Sequence, residues 1–234
     1  TKELNNRIKA TENFSTDLVH EIRNPLASLK SASEIISDTT DKEKQEKLLK
    51  IMTHDVSRID RLITDYSQIL KDESAISSEQ MEELDLKPII ESVVDDFNNI
   101  YIEKKNVNIK LNTSGLKNYI IKGISNRIEQ IIANLLDNAV SFSKDGSIVK
   151  VDLSENDKHT ILKVSDQGEG FKESDIKKVF DRFYSNRPEN FGEHSGLGLN
   201  IVKNLVQIHK GEIYASNSPN GGAMIEIKFP KNYN

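Results

Sequence analysis

The chain has 234 residues and a composition 36% hydrophobic and 29% charged, that of a soluble globular protein of one or two domains. Against 37 acidic residues stand 32 basic ones, a net charge of −5, which excludes a broad basic surface for nucleic acid; any polyanion must be held locally. There is no cysteine, so disulfides and thiolate metal sites are excluded, and no apolar run reaches the roughly 20 residues of a membrane-spanning helix.

Residues 1 to about 71 contain one proline and no glycine. Apolar residues fall at Leu4, Ile8, Phe14, Leu18, Ile22, Leu26, Leu29 and Ile36, then at Leu48, Met52, Val56, Ile59, Ile63, Tyr66 and Leu70. Both series step by three or four, the helical period, with turn and N-cap residues at Ser37-Asp38-Thr39-Thr40-Asp41 between them. The pattern predicts an antiparallel helical hairpin over 1–72. Two amphipathic helices bury their stripes better in a four-helix arrangement, so the hairpin is expected to form a homodimeric four-helix bundle. Charged helical sequence starts at once with Lys2-Glu3-Leu4 and without a signal-peptide pattern, which reads as a piece of something longer.

A polar, aperiodic stretch over 73–84 is read as a linker. Beyond it the composition shifts, and ten of the 11 glycines lie after residue 120. The pattern predicts a helix from about Pro88 to Lys105, strands at Val107–Leu111 and Tyr119–Lys122, and a helix over Ser125–Phe142 with Ser125 as its cap. A hairpin follows at Ile148–Leu153 and Thr160–Val164, then helices at Ser174–Phe180 and Leu197–His209, the second stopped by Gly211. Glu212–Ala215 and Ala223–Phe229 close as a last strand pair. This gives a mixed α/β layer domain over 85–234.

No Gly-Lys dipeptide occurs, so there is no P-loop, and no cluster completes G-x-G-x-x-G. Instead Asp166-Gln167-Gly168-Glu169-Gly170 follows a strand, placing a carboxylate beside backbone that a flat ligand can approach closely. Ser195-Gly196-Leu197-Gly198-Leu199 opens a helix whose free amides could receive a phosphate. Asn134 and Asn138 stand one helical turn apart on one face, with amide oxygens of the kind a hard Mg²⁺ ion accepts.

In the first helix, His20 is two residues from both Leu18 and Ile22 and so points away from their stripe. Asn24 lies one turn later and Glu21 is adjacent, while Pro25 removes the hydrogen bond to the Glu21 carbonyl. The pattern gives an exposed imidazole with a carboxylate and an amide close by. His54, His159 and His209 read as solvated histidines on polar faces.

The order of these boxes resembles the GHKL ATP-binding domain of sensor histidine kinases: Asn134 to Ser143, Asp166-x-Gly168-x-Gly170, Val179-Phe180-Asp181-Arg182-Phe183-Tyr184, and Ser195 to Leu199. His20-Glu21-Ile22-Arg23-Asn24-Pro25 resembles the phosphoacceptor box of the dimerisation and phosphotransfer domain, HisKA, of the same enzymes. The Asn24 to Ala32 stretch and Asp60-Arg61-Leu62-Ile63 are most similar to the ChvG-like subgroup.

The resemblance implies ATP and Mg²⁺ as cofactors, with Asn138 as metal ligand, Asn134 at the phosphates and Asp166 accepting the adenine amine. It implies a lid over 184–195 with Arg187 on a phosphate, and nucleotide contacts from Gly168, Gly170, Gly196, Leu197 and Gly198. Autophosphorylation of His20, transfer to an aspartate of a response regulator receiver domain, and phosphatase activity oriented by Asn24 are implied likewise. So are Glu21 as partner of the imidazole and a cytoplasmic location, tethered by an upstream sensor to the inner membrane. Two departures stand out: Ser141 replaces a basic residue common near the phosphates, and Glu193-His194 replace glycines. Two other classes stay open, a GHKL ATPase that clamps or remodels, and a signalling scaffold with a degenerate pocket.

Overall fold

A computed structural model describes the backbone of residues 2–75, 79–114, 118–172, 174, 176–184, 195–219 and 221–231, and their side chains apart from those of 2–14 and 68–75. The chain divides into two compact units, the first made of the residues up to Glu73 together with Ser195, the second of the other described residues from Ser74 onward.

The first unit is a pair of helices, α1 (Lys2–Asp38) and α2 (Lys42–Ala75). Asp41 caps α2, its Oδ1 accepting from the amides of Glu43 at 3.0 Å and Lys44 at 3.3 Å, as the turn sequence predicts. The helices run antiparallel: Ser15 and Tyr66 share a hydroxyl hydrogen bond at 3.3 Å, and Glu21 meets Arg58 at 3.0 Å. Helix α1 continues through Pro25, which is buried. The seam between the helices has a seven-residue spacing, with Pro25 and Ala32 on α1 and Leu48, Asp55 and Leu62 on α2. The expected stripe is therefore shifted by one residue in places. Leu26 and Val56, placed in it by the sequence, are exposed at 51% and 56%, because their neighbours Pro25 and Asp55 take the inward positions. Val19, Leu26, Leu49, Val56 and Ile63 form a second apolar stripe with the same seven-residue step, open in the single chain.

The second unit opens with β1 (Glu82–Asp85), which pairs antiparallel with β3 (Ile120–Gly123). The end of the stretch read as linker is thus a strand, its apolar Leu84 standing opposite Ile121. Asp85 then caps α3 (Leu86–Lys105), accepting from the amides of Lys87 and Tyr119, both at 3.1 Å. Asn106 ends α3 in a left-handed conformation that asparagine tolerates, with φ +50°.

A five-stranded sheet follows in the order β2-β4-β5-β7-β6, from β2 (Asn108–Ser114), β4 (Ile148–Glu155), β5 (His159–Ser165), β6 (Glu212–Asn217) and β7 (Ala223–Pro230). Only β2 and β4 are parallel, so the sheet is mixed. Helix α4 (Ser125–Phe142) packs on the sheet and on α3 and α5 (Gly198–Ile208), burying Ile128, Ile131, Ile132, Leu135 and Leu136. On the edge strand β2, the side chain of Asn98 both accepts from the amide of Ile109 at 2.8 Å and donates to its carbonyl at 3.0 Å. This is the helical hairpin plus α/β sandwich that the sequence predicts.

Three local expectations are corrected. Ser125 does not cap α4; the cap position is Ile124, whose amide donates to Nε2 of His209 at 3.1 Å. His209 is consequently fully buried instead of solvated, with Nδ1 bound to the Leu205 carbonyl at 2.7 Å. The expected helix at Ser174–Phe180 is a run of turns among its described residues, followed by a tight three-residue bond from the Asp181 amide to the Lys178 carbonyl at 2.8 Å and by Phe183 at a φ of +58°.

Candidate active site

In the first unit His20 is exposed, and so is Asn24 one turn later. Neighbouring residues on a helix point about 100° apart, so Glu21 turns toward α2. Its Oε2 accepts from Nη2 of Arg58 at 3.0 Å, with Glu21 and Arg58 side chains 26% and 36% exposed. The bond to Arg58 was not foreseen, although a turn centred near residue 40 places residues whose numbers sum to roughly 80 opposite one another, as 21 and 58 do. Asp55, one turn before Arg58, is buried at 8% exposure and its Oδ2 has no hydrogen-bond partner.

In the second unit the expected boxes converge on the ends of β5, α4 and α5. Asp166, just past β5, is buried, and its Oδ1 accepts from the amides of Gly168 at 2.8 Å and Ala223 at 3.0 Å. Burial pushes its carboxyl up from the ordinary 3.8, against the pull of those two amides. The glycines beside it have no room for a side chain. A Cβ on Gly168 would stand 2.6 Å from the Phe142 carbonyl oxygen, and one on Gly222 2.0 Å from that of Asp166. Gly170, at φ +78°, faces Asn217, whose amide spans the amide and carbonyl of Phe171 at 2.6 and 2.8 Å.

Asn134 and Asn138 are half-buried on one face of α4. Asn134 donates to the Gln130 carbonyl at 2.9 Å, and its Oδ1 lies 3.2 Å from where a Cβ of Gly198 would be. Gly198 therefore lets the start of α5 come against the asparagine, and the apolar Leu197 before it is fully buried, a packing position. Gly196, at φ +73°, is set against the backbone of Phe183, and Asn200 donates to the Phe180 carbonyl at 2.9 Å. The stretch over 179–184 and the cluster over 195–199 are thereby one packed feature. Beside Asn138, the hydroxyl of Ser141 donates to the Asn138 carbonyl at 2.7 Å, while Nζ of Lys105 reaches the Val140 and Ser141 carbonyls at 2.8 and 3.0 Å. A cation from α3 thus stands beside the position where a basic residue was expected. Arg187, Glu193 and His194, and with them most of the lid, lie outside the described residues.

Among the described residues no group of three or more His, Asp or Glu could hold a metal by itself. The donor set that remains, amide oxygens on one face of α4, suits a magnesium ion that takes its other ligands from phosphates and water. A Cβ on Gly168, Gly170 or Gly222 would collide with neighbouring protein atoms, so these glycines let the backbone close tightly around Asp166 and leave its carboxylate as the polar group there. No helix among the described residues is long and apolar enough to cross a membrane.

Comparison with known proteins finds two families along the chain. Residues 10–84 match the His Kinase A (phospho-acceptor) domain, and residues 123–233 the Histidine kinase-, DNA gyrase B-, and HSP90-like ATPase family. The sensor protein ChvG of Agrobacterium fabrum is 38% identical over 93% of this chain, and that of Rhizobium meliloti 37% over 93%, while BaeS of Escherichia coli is 31% identical over 93%. The chain spans 38% and 39% of the length of the two ChvG proteins and 46% of BaeS. Among solved structures, the histidine kinase AdeS of Acinetobacter baumannii aligns over 92% of this chain and 98% of its own, with a TM-score of 0.63 and 25% identity. The histidine kinase ThkA, solved in complex with the response regulator protein TrrA, aligns over 97% of this chain and 64% of its own, with a TM-score of 0.73 and 23% identity. Both matched domains fall in the order that His20 and the glycine-rich boxes set out along the chain, which therefore belongs to the sensor histidine kinase family, with HisKA and GHKL ATP-binding domains and similarity to the ChvG proteins.

Proposed function

We propose that the chain phosphorylates itself on His20 from ATP and magnesium, and passes the phosphoryl group to an aspartate of a response regulator receiver domain. One observation carries the reading. A water-facing imidazole on a helical stem and a buried carboxylate walled by glycines occur in one chain, each in its own unit.

Asp166 would hold the adenine. Its Oδ1 is committed to two backbone amides, which leaves Oδ2 as the acceptor for the exocyclic amine, a contact guanine would not satisfy. Asn134, Asn138, Gly196 and Gly198 would surround the phosphates. Magnesium, held by Asn138 and the phosphates, would neutralise charge on the transferring group. The neutral imidazole of His20 attacks the γ-phosphorus in line, the bond to the ADP oxygen breaks, and Glu21 accepts the hydrogen bond of the other ring nitrogen. Asn24, exposed one turn away, would orient a water for the reverse, phosphatase step on the regulator.

The open heptad stripe of Val19, Leu26, Leu49, Val56 and Ile63 supports a homodimeric four-helix bundle. The ThkA complex with its regulator supports the second partner, and nothing in the charge supports nucleic acid. The match to the ChvG sensor proteins supports a cytoplasmic signalling part attached to a membrane sensor.

The test is incubation with γ-labelled ATP and magnesium, beside His20→Gln and Asn138→Ala. Acid-labile, alkali-stable label lost in both variants supports the reading. Label that persists in His20→Gln moves the acceptor elsewhere, and hydrolysis without label favours a clamping ATPase.

A further inference from the structure

We propose that Arg58 is a positioning residue for the phosphorylation of His20, acting through Glu21; the inference rests on the function proposed above. On a helix the side chains of residues i and i+1 do not face each other. A carboxylate at 21 therefore serves an imidazole at 20 only when its free oxygen is kept in a fixed orientation. The residue that fixes it comes from the other helix. Arg58 holds Oε2 at 3.0 Å, and this is the one hydrogen bond that Glu21 makes among the described residues. Oε1 is left over for the ring N–H, and His20 itself makes no hydrogen bond among the described residues.

Charge gives a second reason. Phosphorylation puts a dianion on His20, next to the carboxylate of Glu21. Two like charges side by side repel, and more strongly near a protein surface than in bulk water. A guanidinium paired with Glu21 offsets that repulsion just where it would build up. Lysine would supply the charge at this position but not the planar fork that sets an orientation.

The experiment uses the whole chain, with Arg58→Met and Arg58→Lys made alone and Arg58→Met also combined with Glu21→Gln. Arg58→Met is expected to lower the kcat of His20 phosphorylation about tenfold, a fraction of what a positioned proton acceptor supplies. The KM for ATP stays within about twofold, because Arg58 stands on the stem, and Arg58→Lys recovers part of the rate through its charge. The double variant is no slower than Glu21→Gln alone, which identifies the route through Glu21.

A wild-type kcat in Arg58→Met overturns the inference, as does a loss that multiplies with that of Glu21→Gln, or one that falls on KM. A thermal melt of each variant is taken alongside, and should Arg58→Met unfold, Arg58→Gln replaces it under the same criteria. Label surviving in His20→Gln, by contrast, removes the proposed function itself and not merely the part played by Arg58.

Discussion

Gly222 and Asp166 stand back to back: a Cβ built on the glycine would be 2.0 Å from the aspartate's carbonyl oxygen and 3.0 Å from Oδ1. The glycine also has a φ of +87°, so a side chain there is strained before it clashes. Gly222→Ala should therefore destabilise the second unit by about 2–3 kcal/mol, the range of strain and overpacking together. It should also abolish binding of a fluorescent ATP analogue by displacing Asp166. Urea unfolding and a binding titration check both. A wild-type midpoint with intact binding would mean that the turn between β6 and β7 relaxes at no cost.

Asp166 offers a separation of stability from binding. Its carboxyl is pushed up by burial, so it contributes stability that is fully present below pH 3.8 and lost as pH rises through the folded-state value. Asparagine keeps an oxygen for the amides of Gly168 and Ala223 but carries no charge. Asp166→Asn should accordingly melt no lower than the wild type at pH 7, with any advantage shrinking as the pH falls toward 3.8. It should lose the ATP analogue, because its Nδ2 donor would meet the adenine amine. Paired melts at pH 7 and pH 4.5 decide it; a clear loss of stability at pH 7 would show that both carboxylate oxygens are needed structurally.

Much of this was legible in the sequence, and what was not shares a physical reason. The helix over Ser125–Phe142 was read to the residue, because its apolar period is unbroken. The boxes around Asp166 and Gly198 were found because glycine leaves a mark wherever backbone comes close. Gly222 carries no such mark, since the contact that needs it is with a residue 56 positions earlier. His209 reads as solvated in the sequence for the same reason. Its partners are Leu205 in its own helix and the amide of Ile124, at the start of another. Long-range polar pairings leave no periodic trace, and Arg58 with Glu21 is another of them.

The burial of His209 predicts an acid-sensitive second unit. Nε2 accepts from Ile124, so Nδ1 carries the proton and donates to Leu205, which fixes one neutral tautomer. Desolvation lowers its pKa below the ordinary 6.5. The unfolded chain then takes up the proton first, and stability present above pH 6.5 is lost as the pH falls through the folded-state value. His209→Phe should fill the ring's space, lose about 1–3 kcal/mol at pH 8 by leaving the Ile124 amide without its acceptor, and lose less between pH 7 and 5 than the wild type does. Parallel urea titrations across that range measure it; equal acid slopes would place the sensitivity on other groups.

Arg127 and Glu79 join the start of the second unit to α4, and they are unequal partners. Nε and Nη2 of Arg127 donate to the two carboxylate oxygens of Glu79, both at 3.1 Å. The arginine is only 7% exposed, against 25% for the glutamate. Losing one member of such a pair is costly in proportion to how deeply the other remains buried. Glu79→Gln removes a negative charge from beside a buried cation, in the first turn of a helix whose dipole already disfavours it, and should cost about 2–3 kcal/mol. Arg127→Met replaces the guanidinium stem with apolar volume and leaves a glutamate that can turn to water, so it should cost no more than about 1 kcal/mol. Denaturation of the two variants side by side checks the order. Were Arg127→Met the more damaging, the stem's packing and its contact with Gln130, 3.4 Å from Nη1, would outweigh the ion pair.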